Sequence, residues 1–257
     1  MTGTVVELWR YPVKSMAGER LDRARLDHRI TGDREWGVFD AATGKLLSAK
    51  TVGALLAARA RFAEGTTTIE LPGGATLIAG TADADRAIGE WLGRGVTLRR
   101  AGGGEPATID MDLDDGTGAG PHGLNSFTTQ AGMLFDSRST LHLIGAASLA
   151  ALDRDHHPSA GDLRRFRPNL VVDGIPALAE DGWVGGEVRI GTLTAHVRKR
   201  TERCVIVSRA QPGVDQDRGL LRHLKAQRGM CYGVYLDARG AGELAVGDAV
   251  ERVAVDR

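Results

Sequence analysis

In EVRIGTLTAHVRKRTERC, residues 187–204, the stretch 187–200 alternates apolar and polar side chains on both sides of Gly191-Thr192, and that alternation is the signature of a β-hairpin. The second arm carries the basic run Arg198, Lys199, Arg200 and Arg203 and delivers Cys204, one of only two cysteines, at its tip. A thiol beside fixed positive charge is biased toward the thiolate, which is a nucleophile and a soft-metal ligand. A structural reading competes: CVIV, residues 204–207, is an apolar, strand-like run, and a single cysteine in such a run is ordinarily a small buried side chain.

Strand signals dominate outward from this hairpin. TVVELWRYPV (4–13) is rich in β-branched and aromatic residues and stops at Pro12, and EWGVF (35–39), TTIEL (67–71) and TLI (76–78) follow between glycine-containing turns. Ala82 to Leu92 places Ala87, Ile88, Trp91 and Leu92 at helical spacing. Residues 101–125 combine glycine, proline and acidic residues without apolar periodicity and read as a linker or long loop. Beyond it, STLHLIG (139–145) reads as a strand, AASLAALDRDH (146–156) and 219–227 as helices, and CYGVYLDA and ELAVGDAVERV as closing strands. The expected architecture is mainly β with some α (α+β), the first hundred residues mostly β and 101–125 a domain boundary or long surface loop.

Composition narrows the function classes. Lysine plus arginine equals aspartate plus glutamate at 33 each, so nucleic acid and anionic membrane are not expected partners, and any anion site must be local. Two cysteines are too few for a disulfide framework, no run has the length of an apolar membrane span, and MTGTVVELWRYPVKS lacks the apolar core of a secretory signal; the expected compartment is the cytoplasm.

Three basic loops are alike in character. Lys14-Ser15 follows a strand and a proline, Arg34 follows the Gly32-Asp33 turn, and Arg164, Arg165 and Arg167 precede Pro168-Asn169. Guanidinium forks, an ammonium and serine hydroxyls are the groups that hold a phosphate monoester, so the loops form an anion pocket if the fold joins them; taken singly, each is an ordinary solvated charge. Other motifs fail. Asp110, Asp112 and Asp114 match the start of a calcium loop, but Asp115 stands where that loop needs glycine and Pro121 where it needs glutamate. His156-His157 ends a helix without a partner at metal-binding spacing, and Cys204 and Cys231 are too far apart for a zinc ribbon or iron–sulfur motif. Cys231, in the run MCYGVY, is expected in the core.

YPVKSM, GDREW, STLHLIGAASL, RFRPNLVV, the RC of TERCVIV and the late VGD, in that order, resemble the MOSC proteins that carry an N-terminal β-barrel domain. That family includes the mitochondrial amidoxime-reducing component and its bacterial relatives. The resemblance implies a β-barrel-like domain over 1–100, a linker or loop over 101–125 and a MOSC β-barrel domain over 126–257. It implies a molybdenum cofactor, molybdopterin with molybdenum, with Cys204 as the protein ligand to the metal. It implies phosphate or pterin contacts from Lys14, Ser15, Arg34, Arg167 and Ser139, and places Asn169 and Arg203 along the cofactor. Two departures stand out: Glu202 replaces the small polar residue common before RC, and SRAQPGVDQDRG replaces the usual loop after the cysteine. The implied activity is reduction of N-hydroxylated compounds, such as amidoximes and hydroxylamines, with electrons from a separate ferredoxin, haem or flavin protein, since no cluster or nucleotide motif is visible up to Arg257. The alternative is a carrier that holds the cofactor, or sulfur as a persulfide on Cys204, and hands it on.

Overall fold

The computed structural model describes residues 2–27, 29–101, 106–112, 124–128 and 139–253. Its first half contains β1 (Thr2–Arg10), β2 (Glu19–Leu21), β3 (Arg23–Asp27), β4 (Arg29–Ile30), β5 (Trp36–Asp40), β6 (Arg59–Ala63), β7 (Thr66–Glu70), β8 (Thr76–Ile78), α1 (Ala82–Leu92) and β9 (Val96–Arg100). There follow β10 (Thr108–Asp112), β11 (Leu124–Thr128), β12 (Leu141–Gly145), α2 (Ala146–Asp155), α3 (Leu163–Phe166) and β13 (Leu170–Asp173). The chain continues with β14 (Glu187–Ile190), β15 (Leu193–Glu202), α4 (Leu220–Arg228), β16 (Cys231–Ala238), β17 (Gly242–Ala245) and β18 (Ala249–Val253). The fold is mainly β with four α-helices among the described residues, and none of those helices is long and apolar enough to cross a membrane.

Seven strands close a barrel in the order β13-β12-β16-β15-β14-β18-β1, with β1 pairing back onto β13 and β2 added beside β1. The hairpin read from 187–204 is β14–β15, with Ile190 opposite Leu193 around Gly191-Thr192. Its alternation does the expected work: Val188, Ile190, Leu193, Ala195 and Val197 all point into the barrel core with Val5, Leu8, Leu143 and Leu236. Truncating any of the large members to alanine costs about 2–5 kcal/mol. Among the strands of the described residues, only β12 and β13 pair in parallel, and the crossover that this requires is the α2–α3 segment. β12 is buried along its whole length because it faces two cores, Leu141 and Leu143 toward the barrel and Ile144 toward the apolar cluster under α2 and α4.

The first half builds smaller sheets, β5–β9 and β6–β7–β8, around Val38, Leu55, Ile69, Ile88 and Leu98. Helix α1 spans the residues expected, because Thr81 accepts the Ala84 N–H at its start and Gly93, at φ 65°, turns the chain out of the helix at its end. Strand pairing ignores the order of the halves. β1 is a stave of the barrel otherwise made of residues after 140, and β17 pairs with β3.

Two expectations change. The segment 101–125 contains β10 and the first residues of β11, which form a hairpin with Asp112 opposite Leu124; its acidic tip, including Asp114 and Asp115, lies outside the described residues. Asp110 is committed to an ion pair with Lys45 at 2.8 Å. Residues 205–208 are not strand but a 3₁₀ turn, because β15 is interrupted by register shifts at Val197/Lys199 and Arg200/Glu202 that bend its end away from the ladder.

Candidate functional site

All eight residues singled out as site candidates line one cleft: Lys14, Ser15, Arg34, Ser139, Arg167, Asn169, Arg203 and Cys204. The cleft lies between the open end of the barrel and the loops that follow β1 and β4. Seven cationic side chains reach it, the additional ones being Arg29, Lys50 and Arg165, against one carboxylate among the described lining residues, Asp33. On a chain with formal net charge of zero, this concentration is local and selects an anionic ligand.

The loop wall is built on unusual backbone. Ser15, Arg34 and Arg167 have φ of 67°, 52° and 55°, the left-handed region that non-glycine residues avoid at a cost of about 1–2 kcal/mol each. Each is tied down. Ser15 Oγ accepts the Ala49 N–H at 2.9 Å, the Arg34 N–H donates to Tyr11 O at 2.7 Å, and the Arg167 N–H donates to Leu163 O, capping α3. Backbone of this kind among polar side chains is characteristic of functional sites.

Beneath the arginines is a buried network. Asn169, 1% exposed, spends its whole amide on protein: its Oδ1 accepts from His142 N and Arg34 Nη1, both at 3.2 Å, and its Nδ2 donates to Trp9 O at 3.1 Å and Asp33 Oδ2 at 3.3 Å. Asn169 therefore lines the cleft as a positioning group, with no hydrogen-bonding capacity left over. Asp33 also accepts the Tyr11 N–H at 2.7 Å and pairs with Arg34. The Tyr11 ring carries the Arg167 guanidinium at 4.3 Å and that of Arg34 at 5.2 Å, while its hydroxyl donates to Pro168 O at 3.0 Å. Burial pushes the Tyr11 phenol above its ordinary range, so it stays neutral.

On the barrel wall, Cys204 is half-buried at the start of the 3₁₀ turn, its carbonyl accepting the Val207 N–H at 3.1 Å. Arg203 donates from Nη2 to Phe166 O at 2.6 Å, and its Nη1 faces His142 Nε2 at 3.4 Å. Burial first, then the charges of Arg203 and Arg34, hold the His142 imidazole well below its ordinary pKa, so it is a neutral acceptor toward Arg203. Gly233, at φ 74°, lets β16 pass this ring; a Cβ there would lie 2.7 Å from Leu143 O and 2.8 Å from His142 Nε2.

Several sequence expectations are redistributed. Of the basic run before Cys204, only Arg203 lines the cleft; Lys199 pairs with Glu202, Arg200 with Asp181, and Arg198 donates to Ser139 Oγ at 3.3 Å behind the lining. Arg164 is held by Asp162 and by Pro212 O, outside the cleft. Arg165, 1% exposed, donates to the carbonyls of Ser159, Val207 and Asp215 and so braces the loop after Cys204. Glu202 is exposed and turned away from the cleft, so this departure from the family pattern leaves the lining untouched. Cys231 is not in the core: it is half-exposed at the start of β16. Tyr11, Asp33 and His142 went unread; the adjacency of Tyr11 to Pro12 and of Asp33 to Arg34 were the available signals, and His142 had none, because its position inside a strand is indistinguishable from a core residue.

Two protein-family models match the chain, one to each part. The MOSC domain family matches residues 129–251, and the MOSC N-terminal beta barrel domain family matches residues 2–99. The mitochondrial amidoxime reducing component 2 of Rattus norvegicus is 32% identical over 134 residues, 45% of this chain and 37% of that protein. Its counterpart in Bos taurus is 24% identical over 287 aligned positions, 96% of this chain and 82% of that protein. Among solved structures, the YUAD protein from Bacillus subtilis aligns over 100% of this chain and 98% of its own with a TM-score of 0.48 and 11% identity. YiiM from Geobacillus stearothermophilus aligns over 77% of this chain and 72% of its own with a TM-score of 0.35 and 12% identity. With both of its parts matched in order over nearly the whole sequence, the chain belongs to the MOSC proteins that carry an N-terminal MOSC β-barrel domain.

Proposed function

We propose that this protein binds a molybdenum cofactor in the cleft and reduces N-hydroxylated compounds, amidoximes and hydroxylamines, with electrons from a separate redox protein. The observation that carries the reading is the donor set: a single soft thiol, Cys204, in a cleft whose polar lining is mostly cations and hydroxyls. That combination fits a group with a soft metal at one end and a phosphate at the other. The names of the rat and bovine relatives supply the substrate class.

Cys204 would hold the metal, and Lys14, Ser15, Arg34, Ser139, Arg167 and Arg203 would hold the pterin and phosphate portion. When bound, the cofactor supplies the two-electron chemistry of N–O cleavage: R–NHOH takes two electrons and two protons and leaves as R–NH₂ and water. The chain's own share is positioning and charge. Tyr11, Asp33 and Asn169 fix the arginines before any ligand arrives, so ligand binding meets a preformed anion site. Neutral His142 accepts toward Arg203 and holds the guanidinium next to Cys204.

The test is turnover. Protein purified from a host that makes the cofactor should contain molybdenum and pterin and reduce benzamidoxime with a chemical reductant, but not with NADH alone. Cofactor content without turnover under any donor would replace this reading with that of a carrier; neither cofactor nor turnover would remove both.

A further inference from the structure

His156 and His157 follow α2, and the sequence offers them no metal-binding partner. The fold supplies one from 60 residues away: Asp217 Oδ2 lies 3.1 Å from His156 Nε2 and 2.8 Å from His157 Nε2. The three ligand atoms fall within 4.8 Å of one another, and none of these residues lines the cleft. His223, on α4, lays its ring 4.8 Å from that of His156 at a 33° tilt and walls the cluster on one side.

The proton positions point to a cation. His157 Nδ1 lies 2.6 Å from Pro158 O, and a carbonyl only accepts, so Nδ1 carries the hydrogen. In the neutral imidazole Nε2 then presents a lone pair to a carboxylate oxygen at 2.8 Å, which is repulsive unless a cation stands between them. A histidine whose other nitrogen donates to a backbone carbonyl is also the usual arrangement of a metal ligand. With bonds of about 2.0–2.1 Å, the carboxylate–imidazole separations of 2.8 and 3.1 Å correspond to ligand–metal–ligand angles of roughly 85–100°, and the two imidazoles, within 4.8 Å of each other, must draw in by a few tenths of an ångström or more to close on one ion.

We propose that His156, His157 and Asp217 form a second, previously unassigned metal site for a divalent transition-metal ion of the zinc type, with two imidazoles and one carboxylate as ligands. Its position assigns it a structural task. The Asp217 N–H donates to Ser208 O at 3.0 Å, and its Oδ1 accepts from the backbone of Gly219 and Leu220 at 2.9 Å each. An ion here ties the end of α2 to the start of α4 and to the loop that follows Cys204.

Zinc binding to the chelator-stripped full chain tests this, read by equilibrium dialysis with metal analysis and by thermal unfolding. One equivalent should bind, and zinc at a hundredfold excess over Kd should raise Tm by about 5–10 °C. His157→Ala removes a half-exposed side chain and should weaken binding at least tenfold without loss of fold. Asp217→Asn keeps an oxygen for Gly219 and Leu220 and should weaken it similarly. Cobalt in place of zinc should give visible d–d bands without the thiolate charge-transfer band that Cys204 or Cys231 would add. The proposal is overturned if the stripped chain takes up no zinc, which leaves a proton as the bridging cation, if both variants bind it as tightly as the parent, or if the cobalt spectrum shows thiolate ligation.

Discussion

The two walls of the cleft hold their side chains by different means. On the barrel side, His142 sits within the β12 ladder, and Arg203 and Cys204 stand just beyond β15, where the Arg203 N–H donates to Met230 O at 2.7 Å. On the loop side, Ser15, Arg34 and Arg167 stand on left-handed backbone, Arg34 and Arg167 beside the Tyr11, Asp33 and Asn169 network and Ser15 tied to the Ala49 N–H. A strand gives a site rigidity from its neighbours, whereas a loop must obtain it from a dedicated network. The loop wall is where stability and function should separate under mutation.

The largest expected effect lies on the barrel wall. Cys204→Ser should reduce N-hydroxy reductase activity and molybdenum content to background with an unchanged denaturation curve, because an alcohol is a far poorer soft-metal ligand of nearly the same size. Retained metal in that variant would reassign the thiol. Next comes the network under the loop wall: Asn169→Ala should cost about 3 kcal/mol of stability in urea unfolding, since it strands buried partners on four sides.

The sharpest form of the comparison uses two substitutions at one position. Arg167→Ala and Arg167→Gly should both weaken cofactor retention by about 1.5–3 kcal/mol, the value of a charge-assisted hydrogen bond. The glycine variant should nevertheless be about 1 kcal/mol more stable than the alanine variant, because only the backbone differs and φ is 55°. Equal stabilities would mean that the left-handed turn carries no cost.

The smallest effect concerns pH. A histidine with depressed folded pKa binds its proton more weakly than in the unfolded chain, so the stability attached to His142 is fully present above the unfolded value of about 6.5 and is lost as pH falls below it. Unfolding free energy should decline from pH 6.5 downward, and His142→Gln should flatten that slope. An unchanged slope would place the titration elsewhere.

The strand signals and α1 were legible because each is local: alternation in β14–β15 and caps at Thr81 and Gly93 depend on neighbours in sequence. The eight cleft residues were legible as residue types within family strings, but their geometry was not. That Arg165 spends its guanidinium on three carbonyls, while Arg167 stands on a left-handed cap of a four-residue helix with its guanidinium over the Tyr11 ring, is set by tertiary structure. No spacing rule encodes either. The same holds for Asp217, whose meeting with His156 and His157 exists only because α2 and α4 pack on a common apolar cluster.

The placement of β1 has a consequence for how this protein is made. Thr2, Gly3 and Thr4 pair with Glu251, Val250 and Ala249, so this edge of β1 waits for β18 to be made. At about 5–20 residues per second, that wait is on the order of 10–50 s. During it, one edge of β1 is an open template for any passing strand. The loop bearing Lys14 and Ser15 follows β1 directly, and Cys204 follows β15, which pairs with the later β16. The nascent chain therefore has both walls of the cleft in place only after β16 has been made.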